Sequence, residues 1–329
     1  MSMSHNTDVL IIGAGLAGLS AANDLTQGGY SVLVVDKGRG LGGRLAGRRI
    51  GEATFDHGAQ FMTAREARFK TVVADWIQAG VAEEWYRSYP GQPNSHPRYR
   101  GVPTMTAVAK YLAININVMR GTRVESITQH QGNRWLARLD NGEAVIAKKM
   151  LITSPVPQTL DLLATGEIAL PADKQARLSR IQYEACIAVM AVLDGPTAIE
   201  APGAIALEHG PVSWISDNLQ KGVSKIPAIT IHGSGDFSAQ YFKRDRMEIG
   251  QLLIDAAAPL LGTSMVTEYQ VHGWRYSKPT VVDDAPCMLL SEATALPPLA
   301  LAGDAFAGPR FEGAVQSGWA AAKMLIGAD

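Results

Sequence analysis

The first forty residues alternate between short apolar runs and glycine-rich breaks. Apolar side chains fill positions 9–12 and 32–35, and the residues 19–27 between these runs suit a helix. Runs of this length are typical of strands that are buried on both faces of a parallel sheet. Two glycines at 28 and 29 would end the helix. The pattern therefore predicts a strand, a tight turn, a helix and a second strand over residues 8–36.

The rest of the chain also mixes strands with helices. A helix is predicted from Gly101 to about Ala113, an Asn141-Gly142 pair predicts a hairpin turn, and a Pro-rich stretch at 89–97 is typical of a loop. The other predicted elements are strands at 116–119, 123–128, 134–139, 186–193, 228–232, 266–276 and 299–302, and a helix at 243–261. We therefore predict an α/β fold with a discontinuous parallel-sheet domain at 1–60, 100–165 and 275–329. A mixed α+β domain, built on an antiparallel sheet, is expected at 61–99 and 166–274.

The composition of the chain excludes some classes of binding partner. The 329 residues carry 30 Lys and Arg against 31 Asp and Glu, a formal net charge of −1. A near-neutral chain has no field that gathers polyanions, so we expect neither nucleic acid nor membrane as a partner. The polar residues 1–7 do not resemble a secretory signal, and Cys186 and Cys287 form neither a disulfide framework nor a metal cluster. We expect a cytoplasmic protein that binds small molecules; its oligomeric state is left open.

The turn after the first predicted strand carries a Gly-x-Gly-x-x-Gly motif. The first glycine permits the tight turn, the second lets the backbone approach a pyrophosphate, and the third lets helix and strand pack closely. Asp36 lies 23 residues after Gly13, and its carboxylate suits the ribose hydroxyls and disfavours a 2′-phosphate. The motif favours FAD or NAD; a purely structural glycine loop is the alternative. The predicted contacts here are Gly13, Ala14, Gly15, Leu16, Ala17, Gly18 and Asp36.

Two following segments resemble those of FAD-dependent amine-oxidase-type flavoproteins. The first runs from Asp36 through a Gly-Gly pair to Arg44, whose guanidinium would contact a diphosphate or a carbonyl; a solvated basic loop is the alternative. The second follows Phe55, where small residues leave room for a flavin ring. His57 in this segment is either catalytic or structural. The resemblance adds Lys37, Gly43, Arg44, Gly58, Ala59, Gln60 and Phe61 as cofactor contacts.

The C-terminal segment resembles the last FAD motif of the same flavoproteins. A buried strand ends in Gly303-Asp304, and a glycine- and alanine-rich helix begins near Gly313. Asp304 would bind the ribityl chain or a phosphate, and the helix N-terminus would stabilise negative charge at the pyrimidine end of the flavin. An amphipathic helix without a ligand is the alternative. The contacts implied are Val124, near the adenine, with Asp304, Glu312, Gly313, Ala314, Val315 and Ser317.

Taken together, the chain resembles the renalase family, particularly its bacterial members. The more specific stretches are Ser213–Asn218 and Trp274–Ser277, whereas the FAD motifs are shared by many flavin oxidases. The resemblance implies a Rossmann-type FAD-binding domain with non-covalent FAD and an oxidase of 2-dihydro- or 6-dihydro-NAD(P). Hydride would pass to flavin N5 and then to O2, which gives NAD(P)+ and hydrogen peroxide. No catalytic side chain is required, because the donor becomes an aromatic pyridinium.

The substrate face should be aromatic and poor in titratable groups. We predict that it includes Gln60, Trp214, Asn218, Trp274 and Tyr276, although each aromatic could equally fill the core. Arg98, Arg100, Lys243 and Arg244 are candidates for a basic rim, with solvated surface charge as the favoured interpretation. A flavin-containing amine oxidase is the main alternative function, and it would usually place a lysine near the flavin. A non-catalytic flavin sensor is a third.

Overall fold

The computed structural model describes residues 4–88, 95–291 and 295–328. Residues 89–94 of the loop predicted at 89–97 lie outside the described part. The described residues form two compact units by their chain contacts, one of residues 1–43, 109–182 and 279–329, the other of 44–108 and 183–278. The domain limits expected from the sequence stay a prediction.

The strands lie as follows along the described chain. They are β1 (Ser4–Ile12), β2 (Val32–Asp36), β3 (Gly47–Ile50), β4 (Ala53–Asp56), β5 (Ala82–Tyr86), β6 (Arg98–Gly101), β7 (Asn117–Arg120), β8 (Val124–His130), β9 (Arg134–Leu139), β10 (Ala144–Ile152), β11 (Gln182–Leu193), β12 (Ala204–Ala206), β13 (Val212–Asp217), β14 (Ala228–Gly233), β15 (Val266–Val281), β16 (Met288–Leu289) and β17 (Leu299–Leu301).

The helices of the described chain are given in the same order. They are α1 (Leu16–Gln27), α2 (Ala67–Gln78), α3 (Thr106–Leu112), α4 (Val156–Thr165), α5 (Ala172–Ser179), α6 (Gly235–Tyr241), α7 (Arg246–Leu261) and α8 (Phe311–Ile326).

The first unit is built on a sheet whose main path runs β16-β17-β10-β1-β2-β7. The β17/β10, β10/β1, β1/β2 and β2/β7 pairs are parallel. The central strands are buried on both faces, as Leu10, Ile11 and Val34 show with no exposed surface. This arrangement confirms the predicted α/β class and the parallel sheet. Helices α1 and α8 pack against each other, and Gly318 lies so close to the Ala17 carbonyl that any side chain would collide with it.

The second unit is built on a sheet in the order β12-β13-β14-β11-β15. The pairs from β12 to β11 are antiparallel, which confirms the predicted antiparallel sheet. One face of β11 carries Ile187, Val189 and Ala191, and these side chains pack in one apolar cluster with Ile249 and Leu253 of α7. Alternate residues of the strand, which point to one face of the sheet, thus pack against the apolar face of an amphipathic helix.

Three predicted boundaries differ from the structure for local reasons. Strand β1 begins at Ser4 because the polar residues 4–7 pair with Ala144–Ala147 of β10. Helix α3 begins at Thr106 and not at Gly101, because Gly101 is the last residue of β6 and the residue before Pro103 disfavours helical geometry. Helix α7 begins at Arg246, where the Asp245 carboxylate accepts hydrogen bonds from the N–H groups of Met247 and Glu248.

Candidate functional site

The carboxyl ends of the parallel strands bring the nucleotide motifs of the first unit to one edge of its sheet. Gly13 follows β1, Asp36 ends β2, Thr153 follows β10 and Gly303 follows β17. Ligands in open α/β sheets bind at this edge. The Thr153 hydroxyl donates to the carbonyl of Ile12 at 3.0 Å, which joins the ends of β10 and β1. Residues far apart in sequence therefore share one candidate site.

Each glycine of the Gly-x-Gly-x-x-Gly turn has a separate role. Gly13 has a φ of +111°, which favours glycine. A Cβ on Gly18 would collide with the Gly13 carbonyl oxygen, so a side chain there would push helix α1 from the turn. A Cβ on Gly15 would meet no described atom within 4 Å. The backbone at Gly15 thus faces an open space that a side chain would fill.

Helix α1 begins beside that space without a capping side chain. Gly15 is its N-cap residue, and no side chain of the described chain bonds to the first-turn N–H groups. Unpaired N–H groups and the helix dipole together favour an anion such as a pyrophosphate. Ala14 lies in the same turn, and Leu16 and Ala17 are the first residues of α1. The residues present therefore fit the phosphates of FAD.

Asp36 is tied into the turn by backbone donors. Its carboxylate accepts the N–H of Ala14 and the N–H of Gly38, each at 2.6 Å. A carboxylate has about four acceptor positions, so two remain for ribose hydroxyls. The Asp36 carbonyl also accepts from Thr122 N–H at 3.0 Å, which fixes the chain just before Val124 beside the end of β2. Lys37 is exposed, and its ammonium donates to Gln158 Oε1 at 2.9 Å.

The C-terminal motif closes the same edge of the first unit. The hydroxyl of Ser317 is completely buried and accepts the N–H of Gly303 at 2.9 Å, so it holds the end of β17 against α8. Asp304 follows directly and is 8% exposed. Arg310, the N-cap residue of helix α8, makes no capping hydrogen bond with its side chain. Its first turns contain the predicted contacts Glu312, Gly313, Ala314 and Val315.

In the second unit, two predicted flavin segments lie against each other. The Arg44 carbonyl accepts the N–H of Ala59 at 2.8 Å, and a Cβ on Gly58 would collide with that same carbonyl. The Arg44 guanidinium donates to the carbonyl of Ser277 at 3.0 Å. Arg44 thus links the Gly58–Ala59 turn to β15, the strand that carries Trp274 and Tyr276. Gly43, the residue before Arg44, is exposed.

A buried ion pair lies under the same turn. The ammonium of Lys221, which has no exposed side-chain surface, donates to Asp56 Oδ2 at 2.9 Å and to Gln60 Oε1 at 3.3 Å. Ser216 also donates to Gln60 Oε1, at 2.8 Å. The sequence prediction missed Lys221, which stands three residues after the end of the Ser213–Asn218 stretch that the prediction singled out. Asp56 is separated from it by 165 positions, so only the fold reveals the pair.

The rings of His57 and His272 pack on Trp274, and His232 bonds to the same carbonyl as the Trp274 indole. The His57 ring stacks on the Trp274 indole with ring centroids 5.2 Å apart, and His272 lies edge-on to both. The His57 carbonyl accepts the indole N–H of Trp274 at 2.9 Å and the His232 Nε2–H at 3.2 Å. Burial, with the neighbouring His272 and Arg48, lowers the pKa of His57 to about 3. Burial likewise lowers the pKa of His232 to about 4. Both imidazoles are therefore neutral and weakly basic near neutral pH.

An aromatic cluster surrounds Trp214 on β13. The Trp214 indole lies 5.5 Å from the Phe61 ring and 6.4 Å from the Trp85 ring, and Tyr86 packs on both Phe61 and Trp85. The Arg98 guanidinium stacks over Phe61 and Tyr86. The Trp214 indole N–H is buried and has no hydrogen-bond partner among the described residues. An unsatisfied buried donor of this kind suits a ligand with an acceptor oxygen.

The remaining substrate-face candidates are held by neighbouring side chains. Asn218 is fully buried and donates to Thr230 Oγ1 at 3.0 Å, while its Oδ1 lacks a described partner. The Tyr276 ring packs edge-on against Tyr183.

The candidates for a basic rim were interpreted from the sequence as solvated surface charge. That interpretation is wrong for Arg100, which is 8% exposed and pairs with Glu83 at 2.6 Å. It is confirmed for Lys243 and Arg244, which are exposed.

Both cysteines of the chain are buried and form no disulfide. Burial raises the pKa of Cys186 to about 12 and that of Cys287 to about 11, so both thiols are protonated and poorly nucleophilic. Within residues 4–88, 95–291 and 295–328, no three His, Cys, Asp or Glu side chains are grouped as metal ligands. No helix in those ranges combines the length and apolarity that a bilayer crossing needs.

Two family models match this chain. A family model described as flavin containing amine oxidoreductase matches residues 75–326, which is most of the chain. A model of an NAD(P)-binding Rossmann-like domain matches residues 11–76, which include the turn and Asp36.

Individual relatives match over shorter segments. A 4,4′-diapolycopene oxygenase from Methylomonas sp. is 36% identical over 95 residues, which are 27% of this chain and 19% of that protein. An L-amino acid dehydrogenase from Synechocystis sp. is 35% identical over 77 residues, which are 23% of this chain and 16% of that protein. The matched segments therefore span less than a fifth of these curated relatives.

Solved structures match the whole chain at low identity. A putrescine oxidase structure with bound putrescine has a TM-score of 0.68 at 14% identity and covers 98% of this chain and 100% of its own. A candidate protoporphyrinogen oxidase from Exiguobacterium sp. 255-15 has a TM-score of 0.75 at 12% identity, with both chains fully covered. At such identities the likeness shows the fold alone.

Proposed function

The chain belongs to the flavin-containing amine oxidoreductase family, and on that premise we propose that this FAD-dependent oxidase acts on isomeric dihydronicotinamide dinucleotides. Its substrate would be 2-dihydro- or 6-dihydro-NAD(P), as in the renalase family. The net reaction consumes the dihydro compound, O2 and one proton, and it yields NAD(P)+ and hydrogen peroxide. The assignment rests on the Ser213–Asn218 and Trp274–Ser277 stretches together with the acid–base character of the histidines.

The observation that carries the proposal is the packing of His57 and His272 on the Trp274 ring, which buries both imidazoles and lowers their pKa. A general base works best when its pKa lies near the operating pH. The pKa of His57 is about 3 and that of His232 is about 4, so neither is a good proton acceptor at neutral pH. Oxidation of a dihydropyridine needs no base, because loss of hydride alone produces an aromatic pyridinium. An apolar, weakly basic surface matches that chemistry.

Residues of the chain would bind and orient the reactants. Gly13–Gly18 and Asp36 would hold the pyrophosphate and ribose of non-covalent FAD, and the start of α8 would favour negative charge. Bound FAD would supply the hydride acceptor and the route by which the electrons reach O2. The Trp214 indole N–H, unpartnered among the described residues, would donate to an acceptor oxygen of the substrate. Trp274, Tyr276 and Phe61 would supply flat surfaces that keep water from the reacting atoms.

A flavin amine oxidase is the second candidate, and two observations favour it. The family model carries that description, and the aromatic cluster of Phe61, Trp85, Tyr86 and Trp214 would suit an apolar amine. Lys221 lies 4.8 Å from the Trp85 ring centroid, which supplies a lysine that the sequence prediction lacked. Its ammonium is already engaged by Asp56 and Gln60, however. We therefore rank this function second.

Anaerobic mixing separates the two candidates. The purified yellow protein is mixed with the 2-, 4- and 6-dihydro isomers of NADH and NADPH, and with putrescine and benzylamine, while the visible flavin band is recorded. We expect the 2- or 6-dihydro isomer to bleach the band at least about 100-fold faster than any amine. Bleaching by an amine alone would replace the proposal with the second candidate. A flavin that no donor reduces would exclude both.

A further inference from the structure

Lys221 lies in a fully buried position of the second unit, where burial lowers the pKa of its ammonium and the paired Asp56 carboxylate opposes that shift. Its side chain has no exposed surface, and its ammonium contacts Asp56, Gln60 and the face of the Trp85 ring. An isolated buried ammonium is costly, so lysine is retained in a core only where its partners compensate for the lost water. The pair is therefore a specific feature of this turn and not ordinary apolar packing.

The two partners of Lys221 stand at opposite ends of one turn. Asp56 ends β4 and Gln60 lies four residues later, so the ammonium bridges the start and the end of the segment. The Gln60 amide nitrogen donates back to the carbonyl of Asp56 at 2.6 Å and to that of Gly58 at 3.1 Å. Its oxygen accepts from Lys221 and from Ser216. A carboxamide has two donor hydrogens and two acceptor positions, so the amide of Gln60 is fully used within the protein.

The other side of the turn is anchored as firmly. Asp56 Oδ1 accepts the N–H of Met105 at 2.9 Å, and the Asp56 carbonyl accepts the Thr230 hydroxyl at 3.0 Å. Gly58 is pressed against the Arg44 carbonyl, as described above. The position of the Gly58–Gln60 backbone is thus set by contacts that converge on Asp56 and on Gln60. Lys221 joins the two.

We propose that Lys221 is a positioning residue that clamps the Asp56–Gln60 turn through Asp56 and Gln60. The inference rests on the proposed function and on the flavin contacts predicted from the sequence for Gly58, Ala59 and Phe61. Lys221 would influence these flavin contacts through Asp56 and Gln60, without itself touching substrate or cofactor. Gln60 belongs to the same clamp: with its amide fully engaged, any contact it makes with a substrate is through its backbone or methylene groups.

Paired variants distinguish a clamp from a merely stabilising ion pair. Lys221→Met leaves Asp56 buried and unpaired, whereas Asp56→Asn with Lys221→Met removes both charges and is expected to fold. Gln60→Met breaks the bridge but leaves the ion pair intact. Lys149→Met is the matched control: Lys149 is 4% exposed and donates to the carbonyl of Leu325, outside the clamp.

The test combines spectra with kinetics. Each folded variant is loaded with FAD, its visible spectrum is recorded, and its anaerobic reduction by the isomer most active on the wild type is followed. We expect the double variant and Gln60→Met to show shifted flavin bands and reduction rate constants about 10- to 100-fold lower. The substrate dissociation constant, obtained from how the reduction rate depends on substrate concentration, should change less than 3-fold, and Lys149→Met should match the wild type.

Wild-type spectra and rate constants in Gln60→Met, or in a folded double variant, would overturn the clamp. Failure of the proposed function looks different. If no dihydro isomer reduces the wild-type flavin, the substrate assignment is wrong, whereas the spectra of the FAD-loaded variants still report on Lys221.

Discussion

At the scale of single residues, Gly15 separates ligand binding from folding. Its φ is −80° and a Cβ there meets no described atom within 4 Å, so alanine fits the protein. The same methyl group would fill the space that a pyrophosphate needs. We expect Gly15→Ala to cost less than about 1 kcal/mol in the free energy of unfolding of the apoprotein. Its FAD dissociation constant, measured by fluorescence titration, should rise at least about 10-fold.

Two other glycines are the controls for that variant. Gly40 also faces open space among the described atoms, so Gly40→Ala should change neither stability nor FAD affinity. Gly18→Ala should unfold the protein or weaken it severely, because its Cβ collides with the Gly13 carbonyl. Unchanged FAD affinity in Gly15→Ala would contradict the pyrophosphate assignment.

Asp36 gives a second prediction at this scale. Alanine there removes the acceptor of two backbone N–H groups and the proposed partner of the ribose hydroxyls. Hydrogen bonds to a charged group contribute about 1.5–3 kcal/mol each. We expect Asp36→Ala to raise the FAD dissociation constant roughly 10- to 100-fold, with Asp36→Asn in between because its amide oxygen still accepts. Equal FAD occupancy in all three purified proteins would count against the site.

Trp214 tests the substrate side. Phenylalanine keeps an aromatic ring but removes the buried indole N–H that lacks a described partner. A lost hydrogen bond of about 1–1.5 kcal/mol should lower kcat/KM for the dihydro isomer roughly 10-fold. Trp135→Phe is the control, since that indole already donates to the carbonyl of Pro298. A kcat/KM for Trp214→Phe equal to that of the wild type would remove Trp214 from the proposed site.

At the scale of elements, the turn after β4 and the strands β14 and β15 contribute the histidine cluster, and this cluster makes stability depend on pH. Burial lowers the pKa of His57 to about 3 and that of His232 to about 4 from an unfolded value of 6.5. Below pH 6.5 the unfolded chain therefore binds more protons than the folded one. Stability is fully present above that pH and is lost as the pH falls toward 4.

The size of that loss can be measured with one variant. At pH 5 each histidine costs roughly 2 kcal/mol relative to pH 7.5, since one pKa unit corresponds to about 1.4 kcal/mol. His232→Gln retains an N–H for the His57 carbonyl and should reduce the pH-dependent loss by about that amount in urea unfolding at the two pH values. His209→Asn, at an exposed position, should leave it unchanged. An identical pH dependence in His232→Gln and the wild type would refute the assignment.

Elements of the first unit show where prediction from sequence succeeds. Strands β1, β2 and β17 and helices α1 and α8 follow from local apolar runs and glycine breaks. The Gly13–Gly18 turn and Asp36 follow from spacing within one βαβ unit. Lys221, His232 and His272 leave no local signal, because each acquires its partners through pairing of distant segments. Trp85 joined the Trp214 cluster unpredicted for the same reason.

At the scale of the whole molecule, the chain crosses repeatedly between its two compact units. The first unit is assembled from three separate segments and the second from two. Local patterns therefore predicted the class of fold and most of the nucleotide motifs, which lie within single segments. They could not predict the clamp beneath Gly58, which needs residues from 56, 60, 216 and 221 to meet. The substrate face depends on such long-range contacts, which is why its residues remained candidates.

Hydrogen exchange can test which segments the cofactor contacts. ADP carries the adenine, ribose and phosphates of FAD without the flavin ring. We expect both ligands to slow amide exchange at 15–18, in the turn and first helical residues beside the proposed phosphate position. Only FAD should slow exchange at 57–61, because the proposed partner of that turn is the ring itself.

Global stabilisation must be separated from local contact in that experiment. A ligand at 100 times its dissociation constant adds about 2.7 kcal/mol to folding and slows globally exchanging amides under either condition. ADP and FAD are therefore compared at equal multiples of their own dissociation constants, so that this contribution cancels. A residual difference confined to 57–61 supports the placement of the ring. If both ligands slow amide exchange at 57–61 equally, this turn responds to the nucleotide alone. The flavin contacts predicted for Gly58, Ala59 and Phe61 would then be wrong.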